Sequence, residues 1–491
     1  MPISAEGDET ARHGPIVLTG ATGYVGGMLR QALEARHFAL RCLVRHPEQL
    51  VGKSAPTTQV LQADLLRRET LTTGLDGAET AYYLVHAMSD AGDFAVADRL
   101  AAENFAREAK SAGVRRIIYL GGLGGDSPQA SRHLRSRREV GDILRRHGPQ
   151  VIEFRSSIVL GSGSLSFEMI RSLVETLPVM VTPRWVRTPC QPIAIADALA
   201  YLMGALDLAG DGHMVFEIGG ADRVSYGDLM AEYAHQRGLR RIMIPVPVLT
   251  PWLSGLWLAL VTPAHYRIGR RLIGGLATPT VANDADARAT FGVSPMGVRQ
   301  AIAGILRDEA AFPDDAVWSE ALPRLPVGRK VLETSLPGLL TAAHRRDVPA
   351  SPEASFRPIQ TIGGAQGWYC GSALWRMRGW LDRLAGGSGL RCLRRDPEDL
   401  RVGDPLDSWR VVLYEPGRRL RLRSELRMPG QAWLDFEVNG SGRKSTIQLT
   451  AVFAPRGLTG LLYWHSLRLV HRWMFRKLLE RISASALGQD Q

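Results

Sequence analysis

Lysine and cysteine are scarce in this chain. Five lysines stand against 55 arginines in 491 residues, for a net charge of +11. No Lys/Arg run reaches the roughly five to eight residues of a polybasic patch, and no nucleic-acid motif accompanies the charge, so nucleic acid is not an expected partner. The four cysteines, Cys42, Cys190, Cys370 and Cys392, contain no Cys-x-x-Cys and keep no regular spacing. That excludes a disulfide framework or metal cluster as the organising device; it fits a reducing cytosol, and a cytoplasmic location is expected. The first residues, MPISAEGDETARHG, lack the apolar core of a signal peptide. Long apolar runs are missing too. The one suspect, Ile242 to Thr262, holds Pro245, Pro247 and Pro251, which leave only Trp252 to Val261 as a clean run. That is too short to cross a bilayer; a buried helix is the expectation, with peripheral membrane contact left open.

Hydrophobic residues at 45% and charged residues at 22% are those of a globular protein, not a disordered or fibrous one. At about 150 residues per domain, the length predicts two or three domains. Residues 1–14 read as a tail. From Pro15 to about Gly125, strands at Ile16–Thr19, Leu40–Val44, Val60–Gln62, Thr80–Val85 and Arg116–Leu120 alternate with helical stretches such as Tyr24–Arg36 and Phe94–Ala112. Val151–Arg155 continues the series. This βαβ rhythm predicts an α/β fold with a doubly wound parallel sheet. Residues 15–335 are read as that domain, with an irregular, proline-rich substrate lobe at about 161–310.

The prolines of 336–350 read as a linker to a second domain at 351–485, followed by a short tail, 486–491. There the strands Trp409–Tyr414, Arg419–Arg427, Ala432–Val438 and Thr446–Phe453 are punctuated by Pro-Gly and Asn-Gly. Period two in Arg419-Leu420-Arg421-Leu422-Arg423 puts leucines on one face and arginines on the other. A closing helix, about Leu458 to Ser483, carries an apolar stripe of Tyr463, Leu467, Val470, Met474, Leu478 and Ile482. An antiparallel sheet wrapped on one long helix is expected. Trp409, Trp433, Phe436, Phe453, Trp464 and Trp473 would either wall an apolar ligand cavity or fill the core. The arginine face would meet an acidic ligand or solvent.

The sharpest motif is Thr19-Gly20-Ala21-Thr22-Gly23-Tyr24-Val25-Gly26-Gly27, directly after the first strand and opening the first helix. Gly20 permits the tight turn, Gly23 lets a pyrophosphate approach the backbone, and Gly26 allows helix to pack on strand. Thr22, Tyr24 and Val25 surround that site. Where the second strand ends, Arg45 stands in the place an acid takes for a free 2′-hydroxyl. It favours a 2′-phosphate, hence NADP(H), with NAD(H) as the alternative. Asp64 and Leu65 follow the third strand and either cap the adenine or form a plain turn.

With Arg45 and Asp64-Leu65 in order behind it, TGATGYVG resembles the first turn of the atypical and extended short-chain dehydrogenase/reductases, including the NmrA-like branch. Phe154-Arg155-Ser156-Ser157-Ile158-Val159-Leu160-Gly161 and Gln191-Pro192-Ile193-Ala194-Ile195-Ala196-Asp197 resemble later segments of that superfamily. The resemblance covers about 15–310 and implies a Rossmann fold. The tail, with Gly367-Trp368-Tyr369 and Pro429-Gly430-Gln431-Ala432-Trp433, is similar to that of bacterial oxidoreductases whose last domain resembles the helix-grip fold of the START-like and polyketide-cyclase superfamily.

Against that pattern, the Tyr-x-x-x-Lys pair and the serine or threonine ending the fifth strand are missing. The strand ends in Gly121-Gly122, and His133 and Arg137 stand on the next helix, four residues apart. An imidazole can carry a proton near neutrality, so His133 with Arg137 could replace the missing pair; the alternative is a solvated arginine-rich helix. His86, just past the fourth strand, is a second candidate for the proton or for a contact with cofactor or substrate. Two functions follow. One is an NAD(P)(H)-dependent oxidoreductase acting on a carbonyl, enone or quinone-like small molecule, with a second domain that binds an apolar ligand. The other is a non-catalytic redox sensor or scaffold of the NmrA-like kind.

Overall fold

A computed structural model describes residues 13–50, 52–85, 94–127, 130–246, 276–311, 340–364, 367–368, 394, 396, 399–426, 428–455 and 457–489. The chain divides into two compact units, the second taking nearly all its residues from Ala311 onward.

The first unit is built on seven strands: β1 (Ile16–Thr19), β2 (Leu40–Val44), β3 (Gln59–Gln62), β4 (Thr80–Tyr83), β5 (Arg116–Gly122), β6 (Gln150–Ser156) and β7 (Met214–Ile218). All pair in parallel, in the order β7-β6-β5-β4-β1-β2-β3. The order reverses between β1 and β4, which opens a crevice at the carboxyl ends of the strands. Near-continuous apolar runs in β1 and β4 reflect burial on both faces. Helices α1 (Tyr24–Ala35), α2 (Phe94–Ser111) and α3 (Arg132–His147) are crossover connections. One core cluster joins Leu29 and Leu33 of α1 to Ile16, Leu18 and Ile152 of the sheet; another joins Phe105 of α2 and Leu144 of α3 to Val17 and Ile117. The lobe adds α4 (Leu165–Thr176), α5 (Ile195–Gly204), α6 (Tyr226–Gln236) and short two-stranded sheets.

The second unit has a six-stranded antiparallel sheet of β8 (Leu340–Val348), β9 (Pro405–Leu406), β10 (Trp409–Glu415), β11 (Arg419–Ser424), β12 (Gly430–Ser441) and β13 (Lys444–Pro455), in the order β8-β13-β12-β11-β10-β9. Helix α7 (Pro352–Gln360) and the closing helices α8 (Gly457–Ser466) and α9 (Arg468–Gln489) complete it. Leu420, Leu422, Phe436 and Leu449 form one core with Phe356, Met474, Leu478 and Ile482.

Four expectations change here. The linker read at 336–350 is largely strand: Leu340–Val348 is β8, paired along its length with β13. It is an edge strand, and its exposed Arg345, Arg346 and Asp347 hid its period. The closing helix is two helices, divided at Leu467; Met474, Leu478 and Ile482 of its stripe are buried, whereas Val470 is exposed. The arginines of β11 are not a solvated face. Arg421 stands opposite Asp435 of β12, both buried, and Asp435 Oδ2 accepts from Arg421 Nη2 at 3.0 Å and Arg419 Nη2 at 2.6 Å. The aromatics do not wall one cavity. Trp409 and Phe436 fill the main core, Trp433 packs with Val452, Phe453 stacks on Trp464, and Trp473 is exposed. The apolar run Trp252–Val261, Cys370 and Cys392 lie outside the described residues. Among the described residues, no helix is long and apolar enough to cross a membrane.

Candidate functional site

The turn between β1 and α1 has the geometry its glycines demand. Gly20 adopts φ +79°, and a Cβ there would lie 2.4 Å from the Leu84 carbonyl oxygen. A Cβ on Gly26 would lie 2.1 Å from the Gly20 carbonyl oxygen, so only glycine lets the helix close on the strand. Gly23 has φ −81°, and its nearest obstacle is Gly20 O at 3.2 Å. Its N–H donates to Gly20 O at 2.9 Å. Gly23 is the N-cap of α1; no side chain caps that end and no acid occupies its first turn. Amides left without a side-chain acceptor, beside an exposed Thr22 and Gly23, fit the pyrophosphate of a dinucleotide.

The other expected cofactor residues spread along the same edge of the sheet. Arg45 is exposed just past β2, its carbonyl accepting from Gln62 Nε2 at 3.3 Å. Asp64 follows β3 and is occupied locally: its Oδ1 accepts from Leu66 N at 3.1 Å, and the Thr70 hydroxyl donates to its carbonyl at 3.0 Å. The Leu65 carbonyl accepts from Asn104 Nδ2 at 3.0 Å, which ties this turn to α2. His86 lies outside the described residues.

Beyond the glycine turn is a cavity of about 300 Å³, whose walls include Tyr24, Val25, Gly122, His133, Arg137 and Ser157. It brings together α1, the carboxyl ends of β5 and β6, and α3, so His133 and Arg137 share one cavity with Tyr24 and Val25. Gly121 and Gly122 keep the end of β5 free of side chains. Ser131 caps α3, accepting from Leu134 N at 3.3 Å, and so sets His133 in the first turn. Arg137 is engaged with the sheet: its guanidinium lies over the Tyr119 ring at 5.4 Å and donates to the Leu120 carbonyl, while Tyr119 Oη donates to the Arg137 carbonyl at 2.8 Å. It therefore anchors α3 to β5 as well as lining the cavity.

Two features of the wall were not foreseen. The Tyr24 hydroxyl sits where a Cβ on Gly161 would be, so Gly161 makes room for it. Burial, then the Glu168 carboxylate, push the Tyr24 phenol up to about 12, so it stays a protonated hydroxyl. On the lobe side, Ser157 Oγ and Thr280 Oγ1 are 2.7 Å apart, and Thr280 also hydrogen-bonds the buried Tyr226, whose phenol burial pushes well up. Ser157, Tyr226 and Thr280 come from segments far apart in sequence, and no motif links them. Ile158, Ser166, Tyr226 and Leu276 continue from this cavity into an apolar annex of about 30 Å³, closed by Met169, Leu173, Trp185 and Met230. Burial pushes the Cys42 and Cys190 thiols up to about 12, which rules both out as nucleophiles near neutrality.

Comparison with known proteins agrees with this geometry. Residues 20–157 match a family model described as NAD(P)H-binding, and residues 339–478 match one described as a protein of unknown function (DUF2867). The solved triphenylmethane reductase of Citrobacter sp. superposes with a TM-score of 0.50 at 16% identity, over 60% of this chain and 99% of that one, a likeness of fold alone. A 4-hydroxy-2-methyl-3-oxo-4-farnesyl-3,4-dihydroquinoline-1-oxide ketoreductase of Stigmatella aurantiaca is 31% identical over 106 residues, 21% of this chain. The match spans only 32% of that relative's length. A ceramide reductase of Caulobacter vibrioides is 26% identical over 290 residues, 56% of this chain and 90% of that protein. The first unit thus carries a segment matched by the NAD(P)H-binding family model on a fold shared with that reductase, and the second carries the DUF2867 match.

Proposed function

We propose that the first unit is an NADP(H)-dependent reductase of a carbonyl group on a lipophilic molecule. The observation that carries this reading is the single cavity that joins the glycine turn to His133 and then opens into an apolar annex. Gly20, Thr22, Gly23, Tyr24, Val25 and Gly26 would hold the dinucleotide at the helix end, and Arg45 would take its 2′-phosphate; Asp64 and Leu65 would border the adenine side. When bound, the reduced nicotinamide supplies a hydride to the carbonyl carbon. The chain supplies everything else. Tyr24, protonated, donates a hydrogen bond to the carbonyl oxygen and polarises it. His133 gives the proton that turns the developing alkoxide into an alcohol. Arg137 holds α3 against β5 and so fixes where His133 stands. The annex of Met169, Leu173, Trp185 and Met230, at about 30 Å³, takes at most a methyl-sized apolar group, so a longer apolar substituent would lie in the main cavity. The two named relatives act on a farnesyl-bearing ketone and on a ceramide, which supports a lipophilic substrate class.

A second reading has its own observation: Arg137, the partner expected for His133, spends its guanidinium on Leu120 O and the Tyr119 ring. In that reading the unit binds the cofactor as a redox sensor. A panel of long-chain ketones, prenylated quinolones and quinones, followed by nicotinamide absorbance, separates the two. Turnover is expected, with His133→Asn lowering kcat on the order of 10²- to 10³-fold while NADPH affinity is unchanged. Tight NADPH binding without turnover on any member would favour the sensor.

A further inference from the structure

The outer face of α9 has a composition that the core does not explain. Its inner face is spent on Met474, Phe475, Leu478 and Ile482, which are buried in the second unit. Yet Leu469 is 79% exposed, Trp473 52%, and Leu462 of the preceding helix 61%. Leu469 and Trp473 are four residues apart and share a helix face. Beside them Arg468, Arg472 and Arg476 repeat at the same spacing, all exposed. From Arg468 to Arg481 the helix carries five cations, including Lys477, against one carboxylate, Glu480. Here the cations are gathered beside exposed apolar side chains. Between this face and the first half of β8 runs a groove of about 580 Å³, bordered by Ala342, His344, Trp464, Arg468, Arg472 and Trp473. Burial, then the nearby charge of Arg472, push the His344 imidazole below its ordinary value.

We propose that this face of α9 docks on an anionic phospholipid surface. Leu462, Leu469 and Trp473 would enter the boundary between headgroups and acyl chains, where an indole finds both an apolar and a polar neighbour. Arg468, Arg472 and Arg476 would meet the phosphates of the surrounding lipids, each adding attraction that salt weakens. Charge complementarity selects this occupant. A neutral apolar partner would meet none of the charge that Arg472 and its neighbours bring, and a purely polyanionic one would leave Leu469 and Trp473 in water. The inference is independent of the reductase reading, because it uses no residue of the first unit.

The full chain is mixed with vesicles of phosphatidylcholine alone and with vesicles in which a third of the lipid is phosphatidylglycerol, and binding is read by co-sedimentation. Binding to the anionic vesicles is expected to be at least about tenfold tighter, and to fall as salt is raised from about 0.05 to 0.5 M. Leu469→Ser with Trp473→Ser, and separately Arg472→Gln with Arg476→Gln, should each weaken it about tenfold or more, with unchanged melting temperature because all four side chains are exposed. Failure to bind anionic vesicles, or binding indifferent to both variant pairs, overturns the proposal. So does binding of a soluble dodecyl phosphate monomer, lost in the variants, without any vesicle binding; that would make the groove a small-ligand site.

Discussion

The two sheets leave chemistry in different places. In the seven-stranded sheet of the first unit every strand is parallel, so each carboxyl end opens into a loop and the ends together form a crevice. The glycine turn, Gly122, Ser157 and Arg45 all sit on that edge. In the second unit β10 to β13 run antiparallel and hairpins close their ends, so no comparable edge is open. Its polar groups are spent inside, as in Asp435 with Arg419 and Arg421, or displayed on a helix face. A parallel sheet thus advertises its site at positions fixed by topology. An antiparallel one can keep its charges for its own architecture.

The largest expected effect tests the first half of that contrast. Gly23→Asp puts a carboxylate where a pyrophosphate would lie, yet Gly23 has an ordinary φ and only one near neighbour. NADPH affinity, by fluorescence, should fall on the order of 100-fold or more while the thermal melt barely moves. Gly26→Val meets the backbone at Gly20 O and should lower both binding and melting temperature. If Gly23→Asp binds NADPH normally, the crevice is not a dinucleotide site.

The next effect belongs to the second unit. Asp435→Ala leaves Arg421, 4% exposed, without the carboxylate opposite it. The loss should be about 3–5 kcal/mol, seen as an earlier melting transition of the second unit with NADPH affinity intact. Asp435→Leu combined with Arg421→Met should recover much of it, since two apolar groups need no partner. A loss of NADPH affinity in Asp435→Ala would break the division between a binding edge and a self-contained sheet.

What could be read from sequence follows the same division. The glycine turn was legible because its demands are local: Gly20 and Gly26 are fixed by atoms of the same turn and by the strand alongside. The placing of His133 and Arg137 was legible because one helix carries both, though the grip of Arg137 on Leu120 and Tyr119 was not. Ser157, Tyr226 and Thr280 stayed hidden because they meet only after three segments pack together. In the second unit, period two assigned Leu420 and Leu422 to the core. It could not say what faced Arg421, because Asp435 lies on the next strand and only register brings them together. β8 escaped because an edge strand with charged, exposed residues has no clean alternation.

The smallest effect concerns cofactor choice. Arg45 leaves β2 at the sheet edge, exposed, and only its backbone carbonyl is engaged by Gln62. A guanidinium there can meet a 2′-phosphate with charge-assisted hydrogen bonds, and it has nothing equivalent to offer a 2′-hydroxyl. Arg45→Ala should therefore weaken NADPH binding by about 2 kcal/mol, roughly 30-fold, and leave NADH within about twofold. Raising the salt should narrow the difference, because an exposed pair is screened. Calorimetric titration with both cofactors gives the answer directly. Equal losses would mean that Arg45 shapes the loop after β2 without reading the phosphate, and the preference for NADP(H) would then have to arise elsewhere on the same edge.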